Sequence, residues 1–299
     1  MYTILGATGT IGRQLATLLL EKGQPVKAIG RSSPKMQMLI DSGAQAAMGD
    51  AANLDFLAEA FAGADTVFVM IPPNHTAVDF RAYQNEFGRT VARALIDSKV
   101  THVVNLSSHG AHLSDYTGPI KGLHDQEQRL NAIEGLNILH LRPTYFMENF
   151  LMNIEMIKRK GINGGHIHSN LPFAMIATQD VAQVACEHML ARNFSGKSTR
   201  ELLGPRDISM IEATRIIGEK IGIPDLKYIR FSRQDYIDGL VDAGLSTDMA
   251  QLLTEMCAGI NDGRFATGQK RTTETVTPTE FEVFAGRFAQ IFADAATSG

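Results

Sequence analysis

The sequence predicts an α/β protein built on a doubly wound parallel sheet, and three observations carry that prediction. Short apolar runs alternate with helix-period segments across the first half of the chain. A glycine-rich turn, "GATGTIGRQ" at residues 6–14, separates the first apolar run from the first helical segment. Gly23, Gly43 and Gly63 each close a helical segment shortly before the next apolar run. Strands that alternate with helices are joined by crossovers, which make neighbouring strands parallel. Glycine just past a helix supplies the left-handed residue that stops it.

The elements follow in order. "YTIL" is the first strand and "QLATLLLEKG" its helix. "VKAIG" leads into "KMQMLIDSG", "AQAAMGD" into "NLDFLAEAFAG", and "TVFVMIPP" into a long helix through "VARALIDS". "HVVNLSS" is the fifth strand, residues 121–134 form a helix, and "NILHLRP" is the sixth strand. Beyond about residue 150 the rhythm loosens into a helix, a Gly-rich turn "GINGG", a short strand near "PFAMIA" and a helix beginning at Asp180. "SMIE" reads as a capping box with Ser209 as N-cap and Glu212 three residues on. "TPTE" repeats the pattern with Thr277, Pro278 and Glu280. Phe281, Phe284 and Phe288 recur at helical spacing and describe a buried stripe. Residues 1–150 are therefore expected to form a nucleotide-binding domain. Residues 151–299 are expected to form a smaller α/β substrate region on the sheet's C-terminal edge, where ligands of such folds bind.

Composition narrows the function classes. The 299 residues carry 28 Lys and Arg against 32 Asp and Glu, a net charge of -4, which argues against an extended nucleic-acid surface. Cys186 and Cys257 are too few and too far apart for a disulfide framework or a redox pair, which points to a reducing cytoplasm. No stretch approaches the roughly 18 apolar residues of a membrane span, and no basic, apolar leader opens the chain. A soluble protein with a small-molecule substrate is expected, with a homodimer left open. Nine histidines include His109-x-x-His112 and His166-x-His168, but neither pair has the third ligand that a zinc site needs, so no metal is expected.

The glycine turn carries the most chemistry. Gly6 permits a tight turn after the first strand, Gly9 lets backbone approach a pyrophosphate, and Gly12 lets the helix pack close to the strand, with Thr8, Thr10 and Ile11 completing the cradle at the helix N-terminus. Between a strand and a helix at the head of a βαβ series, this is the context of a dinucleotide-binding Rossmann fold. An NAD-selective site places an acid at the end of the second strand to accept from the ribose 2′-hydroxyl. Here that strand reads "VKAIGR" and ends on Arg31, which with Arg13 suits a 2′-phosphate. NADP(H) is therefore expected in preference to NAD(H). Asp50, at the end of the third strand, is a candidate acceptor for the adenine amino group.

With "GATGTIGRQ", "GD" at 49–50, "LSSHGA" at 106–111 and above all "LRPTYFMENFL" at 141–151, the sequence resembles the NmrA-like group of atypical short-chain dehydrogenases/reductases across nearly its whole length. It looks closest to the branch of NADPH-dependent quinone oxidoreductases and triphenylmethane reductases. The wider superfamily uses Tyr-x-x-x-Lys, whose lysine tunes the tyrosine for proton transfer at a carbinol oxygen. None of the six tyrosines here has that lysine; after Tyr116, position 120 is Ile120 and the lysine is Lys121. His124 stands where many NmrA-like proteins carry lysine, and the resemblance implies a role for it at the nicotinamide ribose or as a proton donor. Loops after strands four to six should surround the nicotinamide, with Ile71, Pro72 and Pro73 as its floor and Ser107 and Ser108 nearby. Tyr145 is expected to contact the carboxamide or the substrate. Glu148 and Asn149 suit helix capping.

The leading reading is an NADPH-dependent reductase that delivers hydride to an electron-poor acceptor: a quinone, a conjugated carbonyl or a cationic dye. The alternative is a non-catalytic NADP(H)-sensing protein that acts through a protein partner. An epimerase or ordinary carbonyl reductase is disfavoured by the missing tyrosine-lysine pair.

Overall fold

The computed structural model describes residues 1–31, 33–265 and 271–297. Six strands appear in the expected order: β1 (Tyr2–Leu5), β2 (Val26–Gly30), β3 (Gln45–Met48), β4 (Thr66–Val69), β5 (His102–Leu106) and β6 (Asn137–Pro143). Between them lie α1 (Thr10–Glu21), α2 (Pro34–Asp41), α3 (Leu54–Phe61), α4 (Phe80–Asp97) and α5 (Lys121–Asn131). The helix expected over residues 121–134 thus stops three residues early. Gly23, Gly43 and Gly63 all adopt positive φ, as helix stops require.

After β6 come β7 (Tyr145–Phe146), α6 (Ile154–Lys160), β8 (Ile162–Gly165), β9 (Phe173–Ile176), α7 (Thr178–Ala191) and β10 (Lys197–Leu202). The chain ends with β11 (Asp207–Ile208), α8 (Met210–Lys220), β12 (Lys227–Arg230), α9 (Arg233–Asp242), α10 (Thr247–Asn261) and α11 (Phe281–Thr297). The main sheet runs β10-β6-β5-β4-β1-β2-β3, and every pairing in it is parallel. Its seventh strand, β10, and the helix α7 that packs on α1 come from beyond residue 150, so the chain leaves the sheet to build β7–β9 and then returns to it.

Alternate residues of each strand feed two cores. Ile4, Ala28, Phe68, Val104 and Leu139 face one, with α1 and α7; Leu5, Ile29, Val67, Val103 and Ile138 face the other, with α3 and α4. A parallel sheet covered by helices on both faces needs apolar residues throughout, which explains why "TVFV" of β4 is buried at all four positions. The third core belongs to the C-terminal region. Phe281, Phe284 and Phe288 are all buried there with Phe150, as their spacing predicts.

Two local expectations are corrected. "GINGG" is a strand rather than a turn: Gly161 in the left-handed region ends α6, and residues 162–165 pair with β12. Gly164 is required there because a Cβ would sit 2.5 Å from the Phe231 ring. "TPTE" does not start a helix at Thr277. The Thr279 amide and hydroxyl are instead tied to Asp180 of α7, and α11 begins at Phe281. Ser209 caps α8 as expected, accepting from the Glu212 amide at 3.2 Å, while the Glu212 carboxylate pairs with Arg206 rather than closing the box.

Phe288 is fully buried in the third core, so Phe288→Ala removes a large apolar volume that its neighbours cannot refill. It is expected to cost about 3–5 kcal/mol of unfolding free energy. The check is a urea unfolding curve whose midpoint falls while its slope is kept.

Candidate functional site

All strands of the main sheet end on the same edge, and order reverses between β1 and β4, the crevice where open α/β sheets take ligands. The glycine turn lies on that edge. Gly6 has φ +77°, and a Cβ there would sit 2.9 Å from the Met70 sulfur across the crevice. A Cβ on Gly12 would sit 2.2 Å from the Gly6 carbonyl oxygen, so only glycine lets α1 approach the turn this closely. Gly9 is the N-cap of α1 and no side chain caps it. Gly9 and Thr10 are exposed, Thr8 is half-buried, and Ile11 is buried beneath them. The first turn of α1 therefore presents backbone N–H groups that no side chain occupies.

One corner of the edge gathers Arg31, Asp50 and Tyr83. Arg31 is exposed at the end of β2 and makes no ion pair among the described residues. One Asp50 oxygen accepts from the Ala52 amide at 2.9 Å, so its carboxylate already shapes the turn after β3. The Tyr83 hydroxyl donates to the Pro72 carbonyl at 3.0 Å. Burial raises the Tyr83 phenol above its ordinary pKa, and it lies close enough to Arg31 and Asp50 to feel both charges.

Beyond the crevice opens a cavity of about 560 Å³ between the sheet edge and the C-terminal region. The loops after β4, β5 and β6 meet on its wall through Ile71, Pro73, Ser107, Ser108, Thr144 and Tyr145. Leu171, Phe173, Met256, Ile260 and Phe265 close the other side. Tyr145 packs edge-on against Phe173 at 5.5 Å and Phe150 at 6.3 Å, with its hydroxyl near Asn149. Burial raises its pKa well above that of a free phenol, so it is a neutral donor. Pro72 is not on the cavity wall; its carbonyl holds Tyr83 instead. His124 is off the wall as well, half-buried on the first turn of α5 with Nδ1 2.8 Å from the Ala111 carbonyl, which places the proton on that nitrogen. Glu148 caps a helix, but a distant one: its carboxylate accepts from the Thr178 amide and hydroxyl at the start of α7.

Under the β5 and β6 loops lies a charged network that the sequence does not announce. Arg142 of β6 grips Glu127 of α5 with two nitrogens, Nε at 2.9 Å, and reaches Glu201 of β10 at 3.4 Å. Ser107 donates to Glu127, and His109 Nδ1 lies 2.8 Å from Glu201 while its Nε2 meets the Phe265 carbonyl. Both carboxylates are buried. Burial by itself would raise Glu127, yet the Arg142 and Ser107 contacts hold it below the usual carboxylate range. Burial by itself would lower His109, yet Glu201 and the Phe265 carbonyl outweigh it and raise the ring. Two carboxylates, one guanidinium and one imidazolium leave the cluster neutral, which is what burial demands. The sequence marks His109 as a candidate metal ligand and as part of the "SSHG" loop expected around the nicotinamide, and gives no sign of its place in this network. Among the described residues no group of three or more His, Cys, Asp or Glu is placed to hold a metal.

The NmrA-like family model matches residues 2–281. The chain belongs to the NmrA-like family. It is 26% identical over 263 residues to the NAD(P)H azoreductase of Xenophilus azovorans, covering 86% of each chain. Among solved structures it is similar to the NADPH-dependent quinone oxidoreductase of Escherichia coli complexed with NADPH, with a TM-score of 0.78 and 20% identity over 99% of this chain and 100% of that one. It is equally similar to the Citrobacter triphenylmethane reductase complexed with NADP(H), with a TM-score of 0.79 and 20% identity over 97% of this chain and 100% of that one. These likenesses show an NmrA-like Rossmann fold with its appended region.

The His109 contacts make stability depend on pH. A ring whose pKa is raised on folding contributes stability that is fully present below its unfolded value, about 6.5, and is lost as pH rises through the folded value. Unfolding free energy is therefore expected to fall as pH is raised above 6.5. Chemical denaturation across that range should show the decline in the native chain and a flatter profile in His109→Gln.

Proposed function

We propose that this NmrA-like protein is an NADPH-dependent reductase that passes hydride to an electron-poor small molecule. The observation that carries this reading is that Met70, which packs against Gly6 of the glycine turn before the uncapped N-terminus of α1, also lines a largely apolar cavity walled by the loops after β4 to β6. A sensor needs the first feature, whereas a roomy apolar cavity beside it serves a second small molecule. The matched relatives named as NAD(P)H azoreductase, quinone oxidoreductase and triphenylmethane reductase support the same class.

The residues fit a nicotinamide dinucleotide. Any side chain at Gly12 would fill the cradle, and the first-turn N–H groups of α1 beyond Gly9, which no side chain caps, suit a diphosphate. Arg31, exposed without an ion-pair partner among the described residues, is the group for a 2′-phosphate, with Arg13 of α1 as the second candidate. Asp50 keeps one carboxylate oxygen for the adenine amino group. Ile71 and Tyr145 flank the position of the nicotinamide, and His124, its tautomer set by Ala111, presents its other ring nitrogen as an acceptor. When bound, the nucleotide supplies the hydride.

The protein's own contribution is orientation and exclusion of water. Pro143, Phe173, Leu171 and Ile260 make a dry wall against which a planar acceptor can lie, and Tyr145 and Asn149 offer polar contacts to hold it. A quinone that gains hydride becomes a hydroquinone monoanion and then takes a proton from water. Such an acceptor spreads the incoming charge over its ring, so no tyrosine-lysine pair is needed.

Two outcomes are expected. NADPH should be oxidised in the presence of at least one member of a quinone, conjugated-carbonyl and dye panel, read from the absorbance of the reduced nucleotide; tight binding without turnover on any of them overturns the reductase. Arg31→Ala should weaken NADPH by about 1–3 kcal/mol and leave NADH nearly unchanged, since only NADPH loses a charge-assisted contact. Equal losses in a fluorescence titration would remove Arg31 from the 2′-phosphate site.

A further inference from the structure

Two histidines, His140 buried and His109 half-buried, solve the same problem in opposite ways. His140 of β6 meets a donor, Asn105 Nδ2, at 3.0 Å on Nδ1 and an acceptor, Asn131 Oδ1, at 3.0 Å on Nε2. One donor and one acceptor satisfy a neutral imidazole, and burial lowers this ring to about 4. His109 meets two acceptors, the Glu201 carboxylate and the Phe265 carbonyl. A neutral ring has one N–H and would leave one of those contacts as two facing lone pairs, so the geometry requires an imidazolium. The ring lies on the cavity wall, while its counter-ion Glu201 and the Arg142–Glu127 pair behind it do not. The remaining neighbour is His112, whose ring centre is 6.4 Å away and whose pKa is lowered by burial and Arg142, which leaves it neutral.

The rest of the wall carries one more ion pair. Arg271 donates to the Gly204 carbonyl at 2.8 Å and pairs with Asp207, and both side chains line the cavity. No other charged side chain stands among the described lining residues. Among the described residues the wall thus shows a cation whose carboxylate is set back, plus a neutralised pair, and no carboxylate that is free to meet a cationic ligand.

Resting on the reading of this cavity as the acceptor site, we propose that it selects neutral or anionic planar acceptors over cationic dyes, and that His109 is the residue that sets the preference. An imidazolium that faces a largely apolar cavity, with its carboxylate set behind it, favours the negative charge that builds on a quinone oxygen as hydride arrives and opposes a ligand already positive. His109 acts on the acceptor by its field, with both N–H groups committed to protein partners, so it is a specificity-determining residue rather than a proton donor.

Equilibrium binding to the intact chain tests this without turnover. Three probes are titrated at neutral pH by fluorescence quenching or calorimetry: a neutral naphthoquinone, the anion of a hydroxynaphthoquinone, and a triphenylmethane cation. The anion is expected to bind at least about tenfold more tightly than the cation, with the gap closing in His109→Gln. Raising the pH through the His109 transition should weaken the anion in the native chain and leave His109→Gln unmoved. Arg271→Gln, which frees the partly exposed Asp207, should raise affinity for the cation and keeps the test open if His109→Gln does not fold. A cation that binds as tightly as the anion, or a His109→Gln variant that loses all three probes equally, overturns the proposal. If the affinity order holds but no NADPH is oxidised, the charge selectivity stands and the reductase reading fails. If NADPH is oxidised fastest with the cationic dye and that dye also binds tightest, the reductase stands and this inference falls.

Discussion

The parallel sheet sets the terms for everything else in this molecule. Its crossovers place helices on both faces, so the inner strands must be apolar on both sides, and every strand must end on the same edge. That edge is the one place where backbone ends, loops and polar side chains can gather without breaking a core. The glycine turn, the Arg31 corner, the β5 and β6 loops and the cavity all lie there because the topology leaves them nowhere else.

The C-terminal region turns this edge into a chamber. It grows out of β6 through Tyr145, builds its own phenylalanine core around Phe150, Phe281 and Phe288, and sends β10 back beside β6. The return of β10 brings Glu201 within reach of Arg142 and His109, so the element that completes the sheet also completes the buried charge cluster. Phe265 shows the same economy of placement. Its ring packs where Gly110 and Gly259 lack side chains, and its carbonyl holds the His109 ring on the cavity wall.

Much of the fold was legible because its signals are local. Six strands, their helices and three glycine stops are written in runs of four to twenty residues, and the Phe281, Phe284 and Phe288 stripe announces a buried face by its period alone. The failures have physical causes too. "GINGG" reads as a turn by composition, but glycine there serves close approach to the Phe231 ring within a strand. "TPTE" carries a valid capping pattern that Asp180, 99 residues away in the chain, captures for a tertiary contact. The seventh strand, "KSTREL", has the alternation of an exposed edge and no apolar run to mark it.

The candidate site divides along the same line. By itself the sequence determined the glycine cradle, the arginine in place of an acid at the end of β2, the missing tyrosine-lysine pair and the loops that reach the sheet edge, because each is set by a few consecutive residues and the direction of one strand. Only the tertiary structure decided that His109 is held as an imidazolium. The protonation of His109 depends on Glu201, 92 residues further along, and on the carbonyl of Phe265, 156 residues further along. Hydrogen-bond partners that distant are brought together by sheet order and packing, and no local pattern encodes them.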